Sequence, residues 1–81
     1  MITVALQTTN SRMYLSRLDP IQFDNHQEKV TFPNDNEAEY AIVNRLLSFV
    51  RYISLHPKYS PVGVYIDHIE EGNIAHSIQI L

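Results

Sequence analysis

Few side chains in this sequence can hold a metal, relay a proton or bind an anion. There are four histidines, nine carboxylates and six basic residues, and no cysteine to supply a thiolate. His68 and His76 form the most suggestive pair. They sit on two alternating segments, Val62–Ile69 and Ile74–Leu81, joined by Glu70-Glu71-Gly72-Asn73. Closing these into a hairpin, with Gly72 at the left-handed position of a bulged type I turn, sets Ile66 opposite His76 and His68 opposite Ile74. Both imidazoles then share one face, a diagonal step apart, which suits a shared metal or a small anion. A metal would need a third ligand from His26 or His56. The commoner role for such a pair is hydrogen bonding to loop carbonyls, and neither a metal nor any other cofactor is expected.

The carboxylates point to less. Asp67, Glu70 and Glu71 make an acidic hairpin tip that suits a basic partner or simply a soluble turn. Glu70 and Glu71 are adjacent with no pocket implied, so a working acid–base pair is not expected there. Only two glycines occur, Gly63 and Gly72, which excludes a glycine-rich phosphate loop.

The aromatic and basic residues are more promising. Arg45, Ser48 and Tyr52 recur at i, i+3 and i+7, Arg51 sits beside them, and Lys58 and Tyr59 follow. Arginine and tyrosine favour interface centres, so these six residues are the expected partner-binding surface. An alternative ligand-binding set is His68, His76, Arg12, Tyr14 and Tyr65. Tyr14 with Arg12 and Arg17, and Tyr65 with Asp67 and Ser77, would form one polar, aromatic surface if both groups lie on the open face of a sheet.

The elements that must position these groups follow from hydrophobic periodicity. Ile42, Leu46, Phe49, Val50 and Ile53 mark one stripe of a long amphipathic helix over Asn34–His56, widened by Val43 and Leu47. Asn34 with Glu37 fits a capping box, as does Asn36 with Glu39 two residues on, and Pro57 ends the helix at His56. Met1–Gln7 alternates as a strand and Arg12–Leu18 returns, with Gln7 opposite Arg12, Leu6 opposite Met13, Val4 opposite Leu15 and Ile2 opposite Arg17. After the Asp19-Pro20 break, Ile21 and Phe23 with Val30 and Phe32 suggest a second hairpin around Asp24–Gln27, or else one strand at Lys29–Phe32. The expected product is a single α+β domain over residues 1–81. It is an antiparallel sheet in the order ββ(ββ)αββ with one long helix on one face.

Eighty-one residues make one domain with a modest core, which argues against a catalytic pocket. The net charge of −3, split as −1 over residues 1–35 and −2 over 36–81, makes nucleic acid an unfavoured partner. Zero cysteines, no visible signal segment and no apolar run of spanning length point to a cytoplasmic chain off the membrane. The uncharged run Ser77–Leu81 invites strand pairing if it lies at an edge, so a homo-oligomer is expected. The favoured reading is a non-enzymatic protein–protein interaction module: an adaptor, accessory subunit or inhibitor that blocks a macromolecular surface. The alternative is a homo-oligomer that binds a small anionic ligand, such as a nucleotide, at a subunit interface through Arg45, Arg51, His68 or His76.

Overall fold

The computed structural model describes residues 1–25 and 28–81. Its strands are β1 (Ile2–Thr8), β2 (Arg12–Leu18), β3 (Ile21–Asp24), β4 (Pro61–Glu70) and β5 (Asn73–Gln79). They form one antiparallel sheet in the order β3-β2-β1-β4-β5. Between β3 and β4 the chain makes α1 (Asp35–Val43), α2 (Leu46–Leu55) and a 3₁₀ turn at Pro57–Tyr59. The α+β class stands, with two helices in place of one. The core joins Val4, Leu6, Leu15, Phe23, Val64 and Ile66 of the sheet to Ala38, Ile42 and Tyr52 of the helices. Each fully buried large aliphatic side chain in it contributes roughly 1.5–3 kcal/mol.

The first hairpin forms in the predicted register, with Gln7 opposite Arg12 and Leu6 opposite Met13. Its ladder stops at Ala5 and Tyr14, short of the expected Val4–Leu15 and Ile2–Arg17 pairs. Residues 28–32 enter the fork there. The Val30 N–H donates to the Leu15 carbonyl and the Phe32 N–H to the Ile2 carbonyl, both at 2.8 Å. The Thr3 hydroxyl donates to the Val30 carbonyl at 2.7 Å. β2 turns away through an irregularity between Leu15 and Arg17 and takes β3 as its partner.

The expected second hairpin is therefore corrected. β3 folds back on β2 through Asp19-Pro20, whose peptide bond is cis. Val30–Phe32 adds only an isolated bridge between Phe32 and Ile2. Of the turn expected at Asp24–Gln27, His26 and Gln27 lie outside the described residues, as does the suggestion of His26 as a third metal ligand.

The long helix is corrected as well. Its start is as expected: the Asn34 Oδ1 accepts from the Glu37 N–H at 2.9 Å. At Asn44–Arg45 the helix breaks, and the Arg45 Nη1 donates to the Ala41 carbonyl at 3.0 Å. That carbonyl would otherwise receive the Arg45 backbone N–H, which bonds to Ile42 instead. The break rotates the second half. Phe49, Tyr52 and Ile53 turn inward, while Leu46 and Val50 of the expected stripe are exposed.

The last hairpin keeps its strands but changes register. Glu71 and Gly72 have φ of 52° and 81°, the two positive values that a two-residue type I′ turn requires, so Glu70 pairs with Asn73. A bulge at Ala75 follows, placing Ile69 opposite Ile74, His68 opposite His76 and Ile66 opposite Ile78. One extra residue reverses the side-chain alternation, so Ile74 joins Ile69 on the face away from the helices.

Tyr52 ties α2 to β3. Its hydroxyl donates to the Phe23 carbonyl at 2.9 Å and accepts from the Phe23 N–H at 3.2 Å. Tyr52→Phe keeps the ring packing and orphans both backbone groups. It should lower unfolding free energy by about 1–3 kcal/mol in urea denaturation. A change of only a few tenths would show that the hydroxyl contributes no net stability.

Candidate binding cleft between β3 and α2

A cleft of about 530 Å³ lies between β3 and α2. One wall is Pro20 to Asp24 and the other is Ser48, Arg51, Tyr52, Leu55, His56 and Tyr59. Its floor is aromatic. Phe23 lies 5.7 Å from Tyr52 between ring centroids, and His56 stacks on Tyr59 at 4.9 Å with 6° between the planes. The His56 Nδ1 lies 2.8 Å from the Tyr52 carbonyl. A carbonyl only accepts, so Nδ1 carries the hydrogen in this contact. Burial pushes the Tyr52 hydroxyl up to about 12, so it stays protonated and keeps its hydrogen for Phe23.

Four of the six expected partner residues line this cleft: Ser48, Arg51, Tyr52 and Tyr59. Tyr52 is not on the outer helix surface as expected. It is 7% exposed and belongs to the core, because the break turns its side of α2 toward the sheet. Arg45 is engaged with Asp19 through Nε at 3.0 Å and Nη2 at 3.1 Å, which raises its pKa and lowers that of Asp19. Lys58 is exposed beside the cleft without lining it. Arg51 is exposed and makes no hydrogen bond or ion pair with another described residue. Leu55, His56 and Phe23 were missed as site residues. Leu55 lies four residues after Arg51, a spacing that could have placed it on the same wall.

The alternative ligand set divides between the two faces of the sheet. On the helix side, His68 and His76 pair across the strands with ring centroids 5.4 Å apart, and the His68 Nε2 contacts the Asp35 carboxylate in the first turn of α1. Among the described residues no three His, Cys, Asp or Glu side chains stand close enough to hold a metal ion.

On the other face Arg12, Tyr14 and Tyr65 gather around Asp67, the single surface expected from their spacing. The Arg12 Nε and Nη2 donate to the two Asp67 oxygens at 3.0 and 2.7 Å, and the Ser77 hydroxyl donates to Oδ1 at 2.6 Å. The Arg12 guanidinium also lies 4.6 Å from the Tyr65 ring centroid. The Asp67 carboxylate is fully buried. Burial alone would raise its pKa, but hydrogen bonds from Arg12, Ser77 and Tyr14 outweigh that and hold it below the usual carboxylate value. Arg12 is therefore neutralised in place, and this face has less to offer an anion than its composition suggests.

No helix is long and apolar enough to cross a membrane among the described residues. No family model, no curated protein and no solved structure matches the chain.

Asp67→Asn should cost about 3 kcal/mol, since it leaves the Arg12 charge without its partner. The wild-type folded pKa is depressed, so Asp67 stabilises the fold above the unfolded value of about 3.9. That stability disappears as pH falls below 3.9 through the folded pKa. Denaturation across pH 2–7 should show this loss in the wild type and a flatter profile in Asp67→Asn. Parallel profiles would remove Asp67 as the titrating group.

Proposed function

We propose that the chain is a small non-enzymatic protein–protein interaction module that blocks or bridges a macromolecular surface, and that its partner docks on the α2 side of the cleft. One observation carries this reading: Leu47, Arg51 and Leu55 form an exposed ridge at i, i+4 and i+8. Arg51 and Leu55 line the cleft, and Leu47 and Leu55 are 65% and 77% exposed. Large aliphatic side chains flanking an arginine that has no partner among the described residues, beside aromatic side chains, have the composition of an interface core rather than of a solvated helix face. Val43, Leu46 and Val50 extend the apolar surface along the flank of the helices.

The partner that fits is a protein segment with an apolar side chain for the cleft and a carboxylate for Arg51. Among the described residues that line the cleft, Arg51 is the one arginine or lysine. A nucleotide-binding oligomer draws less support. Of Arg45, Arg51, His68 and His76, only Arg51 lines the cleft, while Arg45 is held by Asp19 and His68 by Asp35.

The test is affinity capture with quantitative mass spectrometry, using wild type, Leu55→Asp and Arg51→Glu, with Glu70→Gln at the distant hairpin as control. Both cleft variants replace exposed residues and should keep the wild-type far-ultraviolet spectrum. A partner recovered by wild type and control should fall at least tenfold with each cleft variant, as expected for loss of about 1.4 kcal/mol or more. Equal recovery by all four proteins would overturn the α2 assignment. A melting temperature raised by nucleotides would favour the anion-binding alternative.

A further inference from the structure

We propose that β5 is a self-pairing edge, and that two copies of this chain join antiparallel along it into one continuous sheet. The sheet treats its two edges differently. At β3 the Tyr52 hydroxyl occupies both backbone groups of Phe23 from the helix side. At β5 all seven residues, Asn73–Gln79, are exposed, and none is Asp, Glu, Lys, Arg or Pro. β5 therefore lacks the charges and prolines that usually keep an edge from pairing.

The backbone pattern selects the contact. The Ile80 and Leu81 N–H groups both donate to the Val64 carbonyl, at 2.8 and 3.3 Å, which fixes the direction of the ladder at that end. Hydrogen-bonded pairs alternate along an antiparallel ladder, so Ile78 opposite Ile66 and His76 opposite His68 also bond inward. The N–H and C=O groups of Ser77 and Gln79 then point away from β4. The bulge at Ala75 and the doubled contact at Val64 interrupt the edge on either side, leaving the regular stretch between them for pairing.

A two-fold axis at Ile78 uses these outward groups. Ser77 pairs with Gln79 of the partner subunit, Gln79 with Ser77 of the partner subunit, and Ile78 faces Ile78 of the partner subunit. Each copy supplies the donors and acceptors the other lacks, as an isologous contact requires. Ile78, 40% exposed in the single chain, is covered by its own counterpart. The chain's net charge of −3 resides on other elements, so pairing juxtaposes no like charges along the strand. This contact uses no residue of the α2 ridge, so it stands or falls separately from the partner site.

Sedimentation equilibrium from micromolar to millimolar concentration should show a mass rising from 9.4 kDa toward twice that value. Ile78→Lys places two ammonium groups at the axis, and Gln79→Pro removes an outward donor without removing a β4–β5 hydrogen bond. Each should raise the dissociation constant at least about tenfold while leaving the far-ultraviolet spectrum unchanged. The chain contains no cysteine, so Ile78→Cys adds a single reporter. Non-hydrogen-bonded antiparallel partners have Cα atoms about 4.5 Å apart, within disulfide reach. Ile78→Cys should therefore oxidise to a covalent dimer, and Leu55→Cys should not. If Ile78→Lys fails to fold, the proline and cysteine variants decide. A wild-type mass of 9.4 kDa at every concentration overturns the proposal, as does a dimer that persists in Gln79→Pro and cross-links equally well from either cysteine.

Discussion

In an uninterrupted helix the carbonyl of Ala41 would receive the backbone N–H of Arg45. Here it receives the Arg45 guanidinium, and the rest of that guanidinium reaches Asp19 in the turn between β2 and β3. One side chain thus satisfies the Ala41 carbonyl at the end of α1 and ties the start of α2 to the β3 end of the sheet. A straight helix from Asp35 to Leu55, about 31 Å long at 1.5 Å per residue, would run nearly the full 32 Å of the molecule's longest dimension. The break shortens that run and turns Tyr52 toward Phe23. The cleft, its aromatic floor and the Leu47–Arg51–Leu55 ridge all depend on that turn.

Much of the sheet was legible because alternation is a local signal. Ile2, Val4 and Leu6 against Met13 and Leu15 require one register, since a slip of one residue would send the buried set to water. The Asn34 cap was legible for the same reason: its partner, the Glu37 N–H, is three residues away. The helix break was not. Ile42, Leu46, Phe49, Val50 and Ile53 continue a helical period straight through it, and the guanidinium at the break bonds to Asp19, which lies 26 residues before Arg45. The change at the last hairpin was equally hidden. A type I′ turn and a type I turn with a bulge are both compatible with Glu-Glu-Gly-Asn, yet they place His76 opposite different residues.

The site was legible in part. Four of the residues singled out by type and spacing, Ser48, Arg51, Tyr52 and Tyr59, line one wall of the cleft, but Tyr52 was read as a contact residue when it is the wall's anchor. A tyrosine supplies a large apolar ring and a hydroxyl that must be satisfied when buried. On a four-residue edge strand, Phe23 offers one N–H and one C=O in the position to satisfy it. The same residue therefore completes the core and closes the β3 edge, and composition alone does not separate that role from surface recognition.

Three arginines show how geometry decides what a charge can do. Arg12 donates to a carboxylate that is fully buried, so its charge is committed to the fold. Arg45 is divided between Asp19 and the Ala41 carbonyl, a mainly geometric role because Asp19 remains largely in water. Arg51 sits six residues after Arg45, on the wall of an aromatic cleft between exposed leucines, with no described partner of its own. Neutralising Arg51 would leave every contact described for the fold in place, whereas neutralising either of the others would remove one. A charge with that freedom, beside apolar surface the fold leaves uncovered, is the one best placed to be matched by a second molecule.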